Sequence, residues 1–310
     1  MNLSRNQQTI SKSCRLSGQG YWSGECVQVV LNPSPVGTGV RLVRADLPGS
    51  PGCVVSSGNR SDAQLRTNFR SGEASFQMVE HLLSALYALQ VDNCIVEVDA
   101  EEFPGLDGSC LPYVQAITGA GIVSQTESCP VLVVDRAIRI EAGDRWIEAS
   151  PPKASEAYFE YRLGFDRPCH IPSQTFGFEL EPAAFAAEVA PARTFVTETQ
   201  ANMLRGQGVA SHVTNQDLLV YGADGPIENE LRFEDECSRH KTLDLIGDLA
   251  VSGIQLAGRF VSHRGGHSLN GRMAKRLFEL AVEKGLMDSP PPSVVSPTDA
   301  NRLSMNDRTA

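Results

Sequence analysis

The segment spanning residues 239–248 carries a histidine and two aspartates at intervals of four residues. With about 3.6 residues per helical turn, His240, Asp244 and Asp248 would lie along one face of a helix whose other positions are mostly apolar. Such a helix is largely buried, where an ionised carboxylate is costly unless it is paired or binds a metal. The segment therefore predicts a metal site, a buried His–Asp hydrogen bond or a solvated polar face, and alone it leaves all three open.

A second set of candidate ligands lies in residues 76–86. Apolar residues at helical spacing predict an amphipathic helix there, namely Val79, Leu82, Leu83 and Leu86. Glu80 and His81 stand at its start, and such a pair suits hydrolysis at zinc, because the imidazole can bind the metal while the carboxylate accepts a proton from water. A glutamate at this place also suits the helix dipole, so the pair alone does not distinguish a catalytic role from a structural one. The second histidine of an H-E-x-x-H motif is missing, which argues against a thermolysin-like protease.

The third polar cluster is residues 262–270, where His263 and His267 flank two glycines. The glycines allow unusual backbone angles, so His267 is expected to project from a turn into a cleft. Asp248 is a possible partner that would stabilise the imidazolium, the form that a general acid or an oxyanion stabiliser requires. Either histidine alone could equally be a surface residue, but the three clusters together favour a catalytic site.

The size and composition of the chain are those of a globular enzyme. Its 310 residues are enough for two domains, and its net charge of −10 argues against a nucleic-acid or anionic-membrane partner. The amino terminus lacks the apolar region of a signal peptide, and no apolar run is long enough to span a membrane, so we expect a cytoplasmic protein. Eight cysteines without a C-x-x-C pair are expected to be reduced thiols.

The order of predicted elements repeats along the chain. Strands at 26–31 and 39–44, the Glu80 helix, a strand at 93–98 and a helix at 112–117 precede a polar linker at 121–130. Strands at 131–135 and 157–162, the His240 helix, a strand at 258–262 and a helix at about 270–284 follow it. This repetition predicts an α+β fold built by structural duplication.

The predicted fold has two similar domains, each with helices packed against β-sheets. The N-terminal domain, residues 1–125, carries Glu80 and His81. The C-terminal domain, residues 126–287, carries the ligand helix and His267. Residues 288–310 are rich in proline and serine and are expected to form a disordered tail.

With these clusters in view, the chain resembles the bacterial zinc-dependent UDP-3-O-acyl-N-acetylglucosamine deacetylases of lipid A synthesis. The resemblance covers nearly the full length and rests on six motifs that follow one another in the family's order. They are VEHLL at 79–83, DN at 92–93 with PGLDGS at 104–109, ARTF at 192–195, LRFEDE at 231–236, RHK at 239–241 with Asp244 and IGDL at 246–249, and GGHSLN at 265–270.

The resemblance implies helices sandwiched between two sheets, with the active site at the domain junction. It implies a zinc ion on His81, His240 and Asp244, although two histidines and one carboxylate also suit Fe(II). We also expect the protein to be a monomer. Glu80 is implied to be the general base and His267 its catalytic partner. Three ligands leave the fourth zinc position open for water.

Other residues acquire roles from the same resemblance. Thr194 and protonated His267 are implied to stabilise the oxyanion, and Asp248 to keep His267 charged. Implied contacts to the substrate come from Lys241, Phe165 and Phe195; Phe165 is matched to the family aromatic that stacks on uracil, and it is equally compatible with a core position. Two segments depart from the family pattern: residues 208–217, in the region that shapes the acyl passage, and residues 20–24, where the family has a histidine-containing turn.

The implied reaction is hydrolysis of the N-acetyl group of UDP-3-O-acyl-N-acetylglucosamine, a small-molecule substrate, to UDP-3-O-acyl-glucosamine and acetate. This makes the protein a zinc-dependent amidohydrolase. Two alternatives are a zinc deacetylase for a different acylated amino sugar and a substrate-binding homologue without turnover. A non-catalytic homologue would be expected to lose Glu80 or a metal ligand, and none is lost here.

Overall fold

The computed structural model describes residues 5–61, 63, 65–153, 157–165, 170–208, 210 and 212–288. In the first half, the strands and helices are β1 (Asn6–Ile10), β2 (Cys14–Gln19), β3 (Cys26–Pro33), β4 (Val40–Arg44), β5 (Gly52–Val54), β6 (Arg60–Ser61), β7 (Asn68–Ser71), β8 (Ala74–Gln77), α1 (Glu80–Ala88), β9 (Cys94–Val98), α2 (Leu111–Ala120) and β10 (Ile122–Ser128). The expected tail lies outside the described residues, apart from Asp288 at its start.

The second half contains β11 (Val131–Val133), β12 (Ile138–Ala142), β13 (Arg145–Ser150), β14 (Ala157–Leu163), β15 (Gln174–Glu179), α3 (Pro182–Glu188), β16 (Phe195–Thr197), α4 (Glu198–Gly206), β17 (Leu219–Gly222), β18 (Gly225–Pro226), α5 (Glu236–Ala250), β19 (Gln255–His263) and α6 (His267–Glu283). Within the described part of the chain, no helix has the length and apolar character to cross a bilayer.

The two large sheets have the same topology. Their strand orders are β2-β3-β9-β4-β5 and β12-β13-β19-β14-β15, and β11 also pairs with β19. In each sheet the central strand, β9 or β19, is antiparallel to one neighbour and parallel to the other. The predicted repetition of elements is therefore present, and the α+β class is confirmed.

The helices form the layer against which these sheets are packed. α2 contacts β2, while α5 lies on β14 and β15 and α6 on β12 and β13. α1 packs on α5, and each of its residues is buried, which explains why its sequence is apolar on nearly every side. Two small sheets, β6-β7-β8 and β16-β17-β18, are added to the first and second halves respectively.

The crossing of α1 and α5 is very close at Gly247. A β-carbon at this position would lie 2.1 Å from the carbonyl oxygen of Glu80, so only glycine allows the two backbones to approach this far. The crossing brings the start of α1 beside the middle of α5. It therefore places Glu80 and His81 next to the polar face of the other helix.

Replacing Gly247 by alanine should lower the free energy of unfolding by about 1–3 kcal/mol, the usual cost of an extra methyl in a packed contact. Gly119 in α2 is the matched control, because nothing lies within 4 Å of a β-carbon added there. Alanine at that position should be neutral or stabilising, since it favours a helix. Denaturant titrations of both variants measure the difference, and equal stabilities would contradict the close crossing.

One predicted segment was wrong. Residues 121–130 are not a linker, because they contain β10, which pairs with β1 in antiparallel register. Most β10 side chains are exposed or half-buried, so the strand lacks the alternation of apolar and polar residues that marks a strand on a core. The seven described cysteines form no disulfide with one another.

Candidate metal centre and active site

Three of the predicted ligands converge where α1 crosses α5. His81 Nε2 and His240 Nε2 lie 3.7 Å and 3.5 Å from the same oxygen, Oδ1 of Asp244. All three side chains are buried, and their candidate ligand atoms lie within 4.8 Å of one another. Ligand atoms around a tetrahedral zinc ion are about 3.3–3.5 Å apart, so this spacing suits a metal ion.

The protonation of the imidazoles supports a cation at this point. His240 Nδ1 lies 3.1 Å from the carbonyl oxygen of Ala192, and in the neutral ring it donates a hydrogen bond to that oxygen. The lone pair of Nε2 then faces Asp244. Burial lowers the pKa of His81 to about 3, with the neighbouring His240 adding to the effect, and burial also lowers the pKa of His240. Two neutral imidazoles thus turn electron pairs toward a carboxylate oxygen, an arrangement that fits a bound cation.

Lys241 fixes the other oxygen of Asp244. Its Nζ donates to Oδ2 at 2.6 Å, which leaves Oδ1 directed at the imidazoles. Burial opposes both charges, but the attraction between them prevails, so the pKa of Asp244 lies well below its usual range and that of Lys241 lies above its own. The carboxylate is therefore ionised and oriented at neutral pH.

Glu80 lies at the first position of α1 and is almost completely buried. Burial raises the pKa of this carboxyl to about 7, and the positive charge of His267 opposes the shift. Its Oε2 accepts a hydrogen bond from the backbone N–H of Thr67 at 3.0 Å. A carboxyl whose pKa is near 7 is matched to accept and release a proton at neutral pH.

His267 and Asp248 form the contact that the sequence predicted. Nδ1 of His267 lies 2.9 Å from Oδ2 and 3.1 Å from Oδ1 of Asp248, which is completely buried. Burial of the imidazole opposes its charge, but the Asp248 carboxylate outweighs this and raises the pKa of His267 to about 9. Nε2 lies 3.9 Å from Asp244 Oδ2, so the charged ring faces one of the candidate metal ligands.

The structure corrects the expected setting of His267. The residue does not lie in a turn; it is the first residue of α6, and Gly266 before it is the N-cap with an extended backbone. The helix begins three residues before the start at about residue 270 that its apolar periodicity indicates, and its first turn contains two buried polar residues, His267 and Asn270. The position of His267 is thus fixed by a long helix.

Phe195 lies beside His240, and Thr194 precedes Phe195 in the chain. The Thr194 N–H donates to the carbonyl oxygen of Gly108 at 2.7 Å, and its own carbonyl oxygen accepts from Leu219 N–H at 2.9 Å. Gly108 has a φ of +83°, and a β-carbon there would lie 2.5 Å from a backbone oxygen of Asp217, so this position requires glycine. The Phe195 ring meets the His240 ring edge-on at 6.2 Å.

Phe165 and His263, two further candidates from the sequence, lie away from the cluster of His81, His240 and Asp244. Phe165 follows the end of β14 and is 40% exposed, and its neighbour Gly164 lies against the side chain of Arg264. His263, the alternative to His267, stacks on Trp146 at 5.6 Å between ring centroids. It lies at the end of β19, and its ring contact in the described part of the chain is to Trp146 rather than to a candidate metal ligand.

The two segments that depart from the family pattern contact each other. Nε2 of His212 lies 2.8 Å from the carbonyl oxygen of Gly20, and the Tyr21 hydroxyl donates to the backbone oxygen of Asp217 at 2.6 Å. Burial raises the pKa of Tyr21 well above its usual value, so the phenol stays protonated as a donor. The two segments whose sequences differ from the family pattern, residues 20–24 and 208–217, thus meet in one contact between the first and second halves of the chain.

Sequence reasoning missed four residues that support the site. Thr67 bonds to both Glu80 and Asp248, and Asn270 donates to Asp248 Oδ2 at 2.9 Å. Glu236, one turn before His240, is buried and forms an ion pair with Arg193 at 2.8 Å. Arg193 is the residue between Ala192, whose carbonyl oxygen contacts His240, and Thr194. The motifs contain Asn270, Glu236 and Arg193, but spacing alone gives no sign of these long-range contacts.

Comparison with known proteins agrees with this geometry. A model of the UDP-3-O-acyl N-acetylglycosamine deacetylase family matches residues 7–279. Proteins named UDP-3-O-acyl-N-acetylglucosamine deacetylase from Brucella ovis, Brucella canis and Brucella suis are each 35% identical to this chain over 274 residues. The aligned region covers 88% of this chain and 95% of each relative. The chain therefore belongs to the UDP-3-O-acyl N-acetylglycosamine deacetylase family.

Proposed function

We propose that this protein hydrolyses the N-acetyl group of UDP-3-O-acyl-N-acetylglucosamine, giving UDP-3-O-acyl-glucosamine and acetate, in lipid A biosynthesis. The observation that carries the proposal is the convergence of His81, His240 and Asp244 beside a buried carboxyl, Glu80, and a charged imidazole, His267. The names of the Brucella relatives support the same reaction. Residues 1–125 and 126–287 are then the two domains, with the site at their junction.

His81, His240 and Asp244 would hold the metal, which we assign as zinc. Two neutral imidazoles and a carboxylate are a common ligand set of catalytic zinc sites, and Fe(II) accepts the same set. When bound, the ion would supply a Lewis acid that makes water more acidic and polarises an amide carbonyl. The protein residues around it carry the proton transfers.

Glu80 is the general base in this proposal. It accepts a proton from water while the water oxygen forms a bond to the acetamide carbonyl carbon. His267 then donates its Nε2 proton to the sugar nitrogen as the carbon–nitrogen bond breaks, which releases acetate and the free amine. The Thr194 hydroxyl donates a hydrogen bond to the oxyanion, and such a donor typically contributes about 3–4 kcal/mol to catalysis.

The remaining residues bind the substrate. Lys241 and Phe195 flank His240 and are assigned to the glucosamine, and Phe165 is assigned to the uracil. A mostly apolar cleft opens beside Phe195 at Val196. Its lining comes from α4, β17 and the segment between them: Ala201, Leu204, Arg205, Ala210, Val213, Thr214, Leu218 and Val220. This cleft suits a fatty-acyl chain, because apolar surface is then removed from water.

Replacing Asp248 by asparagine should move the basic limb of the pH–rate profile to lower pH while leaving the metal in place. The protonated form of His267 is required, so activity falls as pH rises through its pKa, which Asp248 raises to about 9. Without the carboxylate charge the ring loses its proton at lower pH. The test is a pH–rate series on the wild type and on Asp248→Asn, with the metal content of both proteins measured. If the basic limb did not move, Glu80 rather than His267 would be the general acid.

Acetate release from a set of substrates tests the substrate assignment. We expect turnover of UDP-3-O-acyl-N-acetylglucosamine, and at least about 10²-fold lower kcat/KM for UDP-N-acetylglucosamine, because burial of an acyl chain contributes roughly 0.8 kcal/mol per CH₂ group. Equal rates on both compounds would exclude a role for the apolar cleft. Activity restricted to another acylated amino sugar would replace the proposed substrate.

A further inference from the structure

Thr67 connects two carboxylates that come from opposite halves of the chain. The residue precedes β7 and is completely buried. Its backbone N–H donates to Glu80 Oε2 at 3.0 Å, and its hydroxyl donates to Asp248 Oδ1 at 2.5 Å. Its carbonyl oxygen accepts from the N–H of Val79, the residue before α1, at 3.2 Å. Every polar group of Thr67 is thus engaged next to the reacting groups.

The hydroxyl completes the set of donors around Asp248. Oδ2 accepts from Asn270 and His267, while Oδ1 accepts from Thr67 and lies 3.1 Å from the same histidine. A carboxylate held by donors on both oxygens keeps one rotamer, and the imidazole that bonds to it keeps one ring orientation. The direction of the His267 Nε2 proton therefore depends on Thr67.

The backbone of Thr67 orients Glu80. Among the described residues, its N–H is the one hydrogen-bond donor to this carboxyl, and it occupies Oε2. Oε1 remains as the oxygen that can take a proton. Since the same residue anchors Asp248, the placement of Glu80 relative to His267 is set by one rigid connection rather than by two separate ones.

We propose that Thr67 is a positioning residue for the hydrolysis, which holds the general base Glu80 and the His267–Asp248 pair in register across the contact between α1 and α5. The inference rests on the proposed function and extends it to a residue outside the family motifs quoted above. Thr67 touches neither substrate nor metal ligand in this role. Its contribution is to the rate of the chemical step, not to substrate binding.

Replacement of Thr67 by valine tests the hydroxyl, because valine keeps the shape and the backbone N–H while removing the donor to Asp248. Steady-state kinetics of acetate release from UDP-3-O-acyl-N-acetylglucosamine should show a loss of about 10- to 100-fold in kcat, the usual effect of deleting a hydrogen bond to a charged group. KM should change by less than about twofold, and bound zinc should stay the same. Thr67→Ser should restore kcat to within about threefold of the wild type, because the donor is back.

Thr9→Val is the matched control, since the Thr9 hydroxyl is also buried and hydrogen-bonded, to the carbonyl oxygen of Asn93, away from the site. It should leave kcat unchanged. If the Thr67→Val chain does not fold, Thr67→Cys, with a weaker donor of similar size, should show a smaller loss of kcat. As a second readout, the NMR signal of the His267 Nδ1 proton in the zinc-loaded protein should shift in Thr67→Val and not in Thr9→Val.

The outcomes separate this inference from the proposed function. A wild-type chain that releases no acetate from the substrate would overturn the proposed function. An active wild type with unchanged kcat in Thr67→Val, or a loss that appears in KM alone, would overturn the role of Thr67. A loss in Thr67→Ser equal to that in Thr67→Val would also overturn it, because the effect would then not follow the hydroxyl.

Discussion

Replacement of His240 by alanine should remove both the bound metal and the turnover. The residue is one of three buried side chains whose ligand atoms lie within 4.8 Å of one another. The two ligands that remain should bind the ion too weakly to retain it during purification. We expect kcat/KM to fall at least about 10³-fold, because the metal supplies several kcal/mol of charge stabilisation in the transition state. Metal analysis of the purified variant, together with acetate release, measures both effects.

His263→Ala is the control for this substitution. It deletes an imidazole of the same size whose described ring contact is to Trp146 rather than to a candidate metal ligand. This variant should keep its metal and its activity. A His240→Ala protein that retains one metal ion and normal turnover would mean that the metal lies elsewhere.

Replacement of Glu80 by glutamine should lower kcat by about 10²–10⁴-fold, the usual contribution of a general base, while metal content stays the same. The glutamine side-chain oxygen can still accept the Thr67 N–H, so the start of α1 should keep its structure. The amide cannot accept the proton from water. Metal analysis and single-turnover kinetics of acetate release measure the two effects separately.

Glu97→Gln, on β9 and away from the site, is the matched control and should leave kcat unchanged. If Glu80→Gln kept a normal kcat, the base role would pass to His267. If it lost its metal, Glu80 would have to be a ligand rather than a base. Neither result agrees with a carboxyl that bonds to Thr67 and carries a pKa raised to about 7 by burial.

Helices α1 and α5 and the side chains that they bring together could be predicted from the sequence because local spacing determines them. Apolar residues at helical intervals located α1 and α5, and intervals of four residues placed His240, Asp244 and Asp248 on one face. A buried polar face needs partners, so His81 and His267 could be assigned to it before the contacts were known. Motif order then connected these local signals to one family.

The contacts that fix the orientation of those residues could not be predicted. Thr67 lies 181 residues from Asp248 and stands in a stretch without a motif, so only the crossing of the two halves reveals its role. The earlier start of α6 was missed because His267 and Asn270 are buried polar residues whose partner, Asp248, is distant in sequence. The strand β10 was missed because its side chains are exposed or half-buried, which leaves no alternation of apolar and polar residues to detect.

Acetate release during titration of metal-free protein with zinc tests the central claim most directly. The three ligands predict that turnover of UDP-3-O-acyl-N-acetylglucosamine rises in proportion to bound zinc and stops rising at about one ion per chain, with no such rise in His240→Ala. Full turnover in the metal-free protein, or a rise of equal size in the His240→Ala variant, would contradict a catalytic metal held by His81, His240 and Asp244.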